Sequence, residues 1–313
     1  MQGPLLGVAG FGAVLVLIAL RVPVGIAMGV IGALGYGLTY GWSSLAFVLG
    51  RAPFDSVFPV SLSVVPLFVM MGVFAGRTGL SQSLYNLVAS FIGHLHGGLA
   101  MATVGASAMF GAVCGSSIAT AATIGRIALP EMRRHGYDDR LASASVAAGG
   151  TLGVMIPPSI MFVIYGLMTE NPIGQLFVAG ILPGLLGMGL YMGAVRWTTW
   201  RHAGMGPAAE RRTWPERLRG LVEVWQVVLL FGLVLGGMYL GWFSPTEAAA
   251  VGAFGALALA AIGGALSREV LARGLIETAG TTAMIFMILI GAAVFNFFVD
   301  ATGLTQSTIQ YMR

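Results

Sequence analysis

Charge is what this sequence has least of. Only 9% of its 313 residues are Asp, Glu, Lys or Arg, against about 25% in a soluble globular chain, so water is not its main solvent. Lysine is missing: all 16 basic residues are Arg. The single cysteine, Cys114, excludes an intrachain disulfide and a cysteine-cluster metal site. Four His are scattered along the chain, and the one close pair, His94 and His96, stands at i, i+2 and shares no helix face. Carboxylates sit almost entirely in predicted loops or at span ends, at Asp55, Glu170, Glu247, Glu277 and Asp300. A proton relay is therefore left without the ionisable groups it needs inside the spans. The pI near 9.6 does not point to nucleic acid, because in a membrane protein basic loops chiefly fix orientation.

What fills the chain instead is apolar: 57% hydrophobic residues, 47 Gly and a mean hydropathy of +0.88. A membrane span needs roughly 20 apolar residues, and runs near that length recur at 5–20, 22–40, 57–75, 141–168, 173–195, 221–240, 246–266 and 278–299. The first run follows Met1-Gln2-Gly3-Pro4, with no basic stretch before it and no cleavage site of small residues, so it is expected to be a retained span. Arginines gather in two connections, at Arg133, Arg134 and Arg140 and from Arg196 to Arg219. Both are assigned to the cytoplasm by the positive-inside rule. Counting outward from them puts Met1 in the periplasm and leaves only Arg51 and Arg313 on the outer side.

That count closes only if 99–129 enters and leaves on the same face. Two apolar arms, 99–112 and 118–129, flank the polar tip Gly115-Ser116-Ser117. An arm of about 13 residues rises roughly 20 Å, short of the roughly 30 Å hydrocarbon core. A re-entrant hairpin is expected; the alternative is one ordinary span carrying a few hydroxyls.

Internal similarity links Gly29-Val30-Ile31-Gly32-Ala33-Leu34 to Gly252-Ala253-Phe254-Gly255-Ala256-Leu257. A sharper pair, at nearly the same offset, is Thr78-Gly79-Leu80-Ser81-Gln82-Ser83 and Thr302-Gly303-Leu304-Thr305-Gln306-Ser307, preceded by Phe74 and Phe298. The two copies start on opposite sides of the membrane, the inverted-repeat pattern of secondary transporters. The domain expectation is a first repeat over 1–195, with three spans, the hairpin, a broken helix at 141–168 and a span at 173–195. A basic cytoplasmic linker at 196–220 follows, and then the start of a second repeat at 221–313. The counterpart of the hairpin tip would fall beyond Arg313, so the chain is expected to be a fragment or a truncated product.

Two segments interrupt apolar helix. At the hairpin tip, Gly115, Ser116, Ser117 and Thr120 combine close backbone approach, hydroxyl oxygens suited to a hard cation and the free N–H groups of a helix start. The second segment is Gly149-Gly150-Thr151-Leu152-Gly153-Val154-Met155-Ile156-Pro157-Pro158-Ser159. Its paired prolines remove two donors and force an unwound stretch, tolerated only against protein or a water-filled cavity. Its carbonyls then suit Na⁺, the expected coupling ion. Arg126, in the second arm, suits either a substrate carboxylate or snorkelling toward the cytoplasmic face. Cys114-Gly115-Ser116-Ser117 invites a hydrolase assignment, but no His or Asp stands at a matching depth to act as base. Met70, Met71, Phe295, Phe297 and Phe298 are expected to pack or face lipid, and Glu247 after Pro245 to act as a first-turn acid.

At these residues the sequence resembles the large membrane subunit of tripartite ATP-independent periplasmic (TRAP) transporters. The resemblance rests on Pro66-Leu67-Phe68, the hairpin from Gly115 to Gly125, and Leu129-Pro130-Glu131-Met132 with Gly136-Tyr137-Asp138. It continues through Gly153 to Ser159, Ile164-Tyr165-Gly166, Ala179-Gly180-Ile181-Leu182-Pro183-Gly184 and Ser244-Pro245-Thr246-Glu247-Ala248. It implies an all-α polytopic protein of the bacterial inner membrane, an inverted-repeat, elevator-type transporter with a re-entrant hairpin and an unwound helix. Sodium-driven import of a small organic anion, a dicarboxylate or related acid, would follow, with no cofactor and no enzymatic step. A small four-helix membrane subunit and a periplasmic substrate-binding protein are the implied partners. Carried onto this chain, Ser116, Ser117, Thr120 and Arg126 would face substrate. Gly115, Ser116, Gly150, Thr151, Pro157, Pro158 and Ser159 would supply oxygens to Na⁺. The rivals are an elevator-type anion transporter without a binding protein, and a non-transporting membrane component.

Overall fold

The computed structural model describes residues 2–77 and 79–312; Thr78, part of the repeated motif, lies outside them. Every regular element among the described residues is helical. In chain order they are α1 (Gln2–Ala19), α2 (Val24–Tyr40), α3 (Trp42–Val57), α4 (Val64–Arg77), α5 (Leu80–Ile92), α6 (Gly98–Cys114), α7 (Ser117–Arg134) and α8 (Asp139–Met155). They continue with α9 (Ile160–Met168), α10 (Ile173–Arg201), α11 (Trp214–Glu223), α12 (Trp225–Phe231), α13 (Gly237–Tyr239), α14 (Pro245–Ile262), α15 (Arg268–Ala301) and α16 (Leu304–Met312). Five stretches, Val60–Arg77, Asp139–Met168, Ile173–Arg201, Pro245–Ile262 and Arg268–Ala301, are long and apolar enough to cross a membrane. The 214–239 stretch bends by 44° between α11 and α12. Leu182, Leu186 and Leu190 of α10 are exposed. At i, i+4, i+8 they form one apolar stripe, the surface a polytopic membrane protein offers to lipid.

Helix starts follow their local chemistry. Ser244 and Glu247 cap α14 reciprocally, Glu247 N–H donating to Ser244 Oγ at 3.3 Å and Ser244 N–H to Glu247 Oε2 at 2.8 Å. Glu247 is thus the first-turn acid expected from Pro245. Interior prolines Pro53, Pro130 and Pro183 leave α3, α7 and α10 unbroken.

The chain divides into two compact units, residues 1–62 with 279–313, and residues 63–278. In the first, α2 lies almost in backbone contact with α15: a Cβ added at Gly32 would stand 2.6 Å from Phe295 Cα. Phe298 is buried against Gly10 and Gly35, and Phe11 meets Phe295 edge-to-face at 4.9 Å.

In the second unit α6 is the axis, and every residue of it but Met109 is buried. A helix apolar all round belongs inside a bundle, and α4, α5, α7, α8 and α10 all pack on it. Here α14 packs along α4, with Gly252 against Met71. In the first unit Gly29 of α2 approaches Gly291 of α15. Gly79 and Gly303, the glycines of the sharper pair, share the left-handed backbone, with φ of +77° and +65°.

Candidate site at a hairpin tip and a helix break

Helices α6 and α7 pack side by side as a helical hairpin. Tyr137 Oη accepts from Leu99 N–H at 3.1 Å, Thr103 Oγ1 meets Met132 Sδ at 3.9 Å, and Gly111 lies against Thr120. These successive pairings make the arms antiparallel, with the turn at Gly115. The arms are longer than predicted, 17 and 18 residues, or about 26 Å each. Thr103 and Ser107 are buried inside α6. Tyr137 stands in the connection after α7, where burial raises its phenol above the ordinary value and the Leu99 N–H bond opposes that shift.

Gly115 turns the chain at φ +62°, a conformation that costs a side-chain-bearing residue roughly 1–2 kcal/mol. Ser116 then starts α7, its Oγ accepting from Ala119 N–H at 3.4 Å. Residues Ser116 and Ser117 are half-buried. One turn on, Thr120 is fully buried, and its hydroxyl has no hydrogen-bond partner among the described residues. A buried hydroxyl without a partner costs about 1–3 kcal/mol, so Thr120 Oγ1 retains unused hydrogen-bonding capacity beside the tip.

The second interruption abuts the first. Helix α8 ends at Met155 and α9 starts at Ile160, with the cis Pro157–Pro158 peptide between them. Pro157, Pro158 and Ser159 are buried, and Ser159 Oγ donates to Val154 O at 2.7 Å. A Cβ at Gly115 would lie 3.3 Å from Pro158 O and 3.4 Å from Ile160 N. One at Gly153 would lie 2.9 Å from Ser116 O and 2.7 Å from Thr120 Oγ1, and one at Gly150 would lie 3.2 Å from Ser117 O. Gly150 and Gly153 thus give α8 a bare face on which the hairpin tip rests, while Gly149 lies against Ser107 and Val104 farther down α6. The N-terminal ends of α7 and α9, positive by the helix dipole, and the C-terminal ends of α6 and α8, rich in carbonyls, meet here. One place therefore presents amides suited to an anion and oxygens suited to a cation.

Two expected residues fall outside this cluster. Thr151 is exposed and turned toward α10, its hydroxyl bonded to Ala148 O at 2.7 Å and Tyr191 Oη at 3.2 Å. Arg126 lies three turns along α7, exposed. It borders a cavity of about 400 Å³ that also touches Cys114, Ala119 and Thr123 at the tip end of the hairpin. Gly153 and Tyr137 do more than sequence reasoning gave them: one lets α8 reach the tip, the other ties the hairpin base. The 150, 153 spacing was the available signal for the first; nothing local announced the second.

Comparison with known proteins gives a consistent result. A family described as "Tripartite ATP-independent periplasmic transporter, DctM component" matches residues 11–312. The chain is 36% identical over 290 residues, 91% of its length, to the isethionate TRAP transporter permease protein DctMQ of Oleidesulfovibrio alaskensis. It is 30% identical over 327 residues, 96% of its length, to the C4-dicarboxylate TRAP transporter large permease protein DctM of Rhodobacter capsulatus. It is 33% identical over 253 residues, 80% of its length, to the sialic acid TRAP transporter large permease protein SiaM of Vibrio cholerae. The matched stretch spans 45%, 71% and 58% of those proteins.

Proposed function

We propose a transport role on one premise: the chain belongs to the DctM component family of tripartite ATP-independent periplasmic transporters. Its relatives are transporter permeases rather than enzymes, and no catalytic role is assigned to Cys114 or the hairpin serines. The function put forward is sodium-coupled secondary import of a small organic anion across the bacterial inner membrane. The working partners would be a small membrane subunit and a periplasmic binding protein, and the hairpin would be re-entrant in the bilayer. An elevator motion of the hairpin-bearing helices would carry the solute.

The observation that carries this proposal is the meeting of the Gly115 tip with the Pro157–Pro158 break, beside the unpartnered, buried Thr120 hydroxyl. Discontinuous helices meeting in this way are how secondary transporters hold solute and ion together. Sodium would be held by oxygens of Gly115, Ser116, Gly150 and the 157–159 stretch, joined by Thr120 Oγ1. Thr151 is left out because its hydroxyl is already bonded on the α10 side. Ser116, Ser117 and the amides at the start of α7 would meet the anion. Relatives are named for isethionate, C4-dicarboxylates and sialic acid, and others for the zwitterion ectoine; these solutes share a carboxylate or sulfonate and support a cargo bearing such a group. Uptake of a radiolabelled organic acid into proteoliposomes holding the complete transporter tests the proposal. An inward sodium gradient is expected to drive accumulation; equal uptake in potassium buffer overturns the sodium claim.

A further inference from the structure

Arg126 borders two cavities. The first is the roughly 400 Å³ space at the hairpin tip, touched by Ala119 and Thr123. The second, about 1000 Å³, lies between α5, α7 and the 208–213 connection, and is touched by Ile127, Pro130 and Arg134. Among the described residues Arg126 alone lines both. Positions 119, 123, 126, 127, 130 and 134 recur at three- and four-residue steps and so occupy one face of α7. That face runs about 22 Å, from the tip to the helix end carrying Arg133 and Arg134. The second cavity also reaches Arg211 and Arg212, with Glu131, Glu210 and Glu216 among its lining, on the side the positive-inside rule assigns to the cytoplasm. Apart from Arg126 its arginines and carboxylates balance, which leaves Arg126 as its surplus cation.

The charges along this face are not equivalent. Of the three arginines at the first cavity, Arg77 is paired with Glu277 and Arg273 with Glu269. Arg126 has no ion pair or hydrogen bond among the described residues. An unpaired cation that lines two cavities concentrates anions and repels cations there. A snorkelling arginine would need only the second cavity; the first, reaching the tip, is what separates the two roles.

The geometry points to the Arg126 face of α7 as the release route of the transported anion, with Arg126 as the relay cation that draws a carboxylate or sulfonate from the hairpin tip toward the basic cytoplasmic side. This rests on the transport role proposed above and deepens it, by placing charge selection at one residue of the exit path rather than at the tip alone. Other groups facing the route are neutral or already paired at the tip end, so a single substitution should expose the effect.

Cysteine labelling tests it without requiring transport. In the complete transporter, with Cys114→Ala as background, Ala119→Cys, Thr123→Cys and Ile127→Cys are placed singly along the face. Inside-out vesicles are then treated with methanethiosulfonate reagents bearing either a sulfonate or a quaternary ammonium. All three positions should react from this side, with the sulfonate favoured at Thr123→Cys. Adding Arg126→Gln should lower the anion-to-cation rate ratio at Thr123→Cys about tenfold, while Arg126→Lys should preserve it. Thr123→Cys protected from this side, or a ratio that Arg126→Gln leaves unchanged, overturns the inference. If no organic acid is taken up while the labelling pattern holds, the transport role fails and the charged route stands; uptake without sodium removes only the sodium claim.

Discussion

Replacing Gly153 by Ala probes the contact on which the site depends. The added methyl would stand 2.7 Å from Thr120 Oγ1, 2.9 Å from Ser116 O and 3.2 Å from Thr120 Cβ. Comfortable separations are near 3.5–4.0 Å between carbons, so the hairpin tip must retreat from α8 by roughly half an ångström to 1 Å. Thr120 is fully buried and Ser116 O is backbone, so neither can simply swing aside. Overpacking of this kind costs about 1–3 kcal/mol. Gly189, in α10, is the matched control, because a methyl there meets nothing within 4 Å. Relief of glycine's entropy in a helix should make Gly189→Ala neutral or stabilising by about 0.5–1 kcal/mol. At about 2 °C per kcal/mol for a chain of this size, Gly153→Ala should melt about 2–6 °C lower in detergent and Gly189→Ala about 1–2 °C higher. Sodium-dependent uptake should fall with the first and not with the second. Melting of the two variants within about 1 °C of each other would refute the close packing of tip on α8.

Two further substitutions separate strain from contact. Gly115→Ala and Gly136→Ala both force a methyl into left-handed backbone, at φ +62° and +76°, for about 1–2 kcal/mol each. Only at Gly115 does the methyl approach Pro158 O, at 3.3 Å, so uptake should drop far more for Gly115→Ala at similar loss of melting temperature; equal uptake in the two would count against a site at the tip. Tyr137→Phe removes the acceptor of Leu99 N–H and should cost about 0.5–1.5 kcal/mol. Faster amide exchange at the start of α6 is the readout, and unchanged exchange there would contradict the tie at the hairpin base.

Much of this architecture was legible because apolar length is a direct signal. The expected spans at 141–168, 173–195, 246–266 and 278–299 each lie on or nearly on a long helix or helix pair, and Gly115 does turn the hairpin. Boundaries were harder. Helices α3 and α5 were not anticipated, since Asp55, Arg51, Gln82 and Asn86 dilute their apolar pattern. Helix α10 continues past the expected end at 195 to Arg201, because tryptophans and Thr198 still suit a helix where hydropathy falls. The direction of a side chain on an apolar helix was not legible: Thr151 and Gly150 are neighbours, yet one faces Tyr191 and the other the hairpin. Nor could Arg126 be placed, because its surroundings are assembled from α5, α7 and a connection some 80 residues later.

The central claim, that the tip and the break together hold sodium, is tested most directly by ligand-linked stability. Purified transporter should be stabilised by NaCl relative to choline chloride at equal ionic strength, by up to about 2.7 kcal/mol at a hundredfold excess over the dissociation constant. Thr120→Val, which fills the same volume without the unpartnered hydroxyl, should raise the sodium-free melting temperature and weaken the sodium-induced rise. A wild-type protein whose melting temperature is the same in sodium and choline, or a Thr120→Val variant that responds to sodium as fully as wild type, would contradict the account.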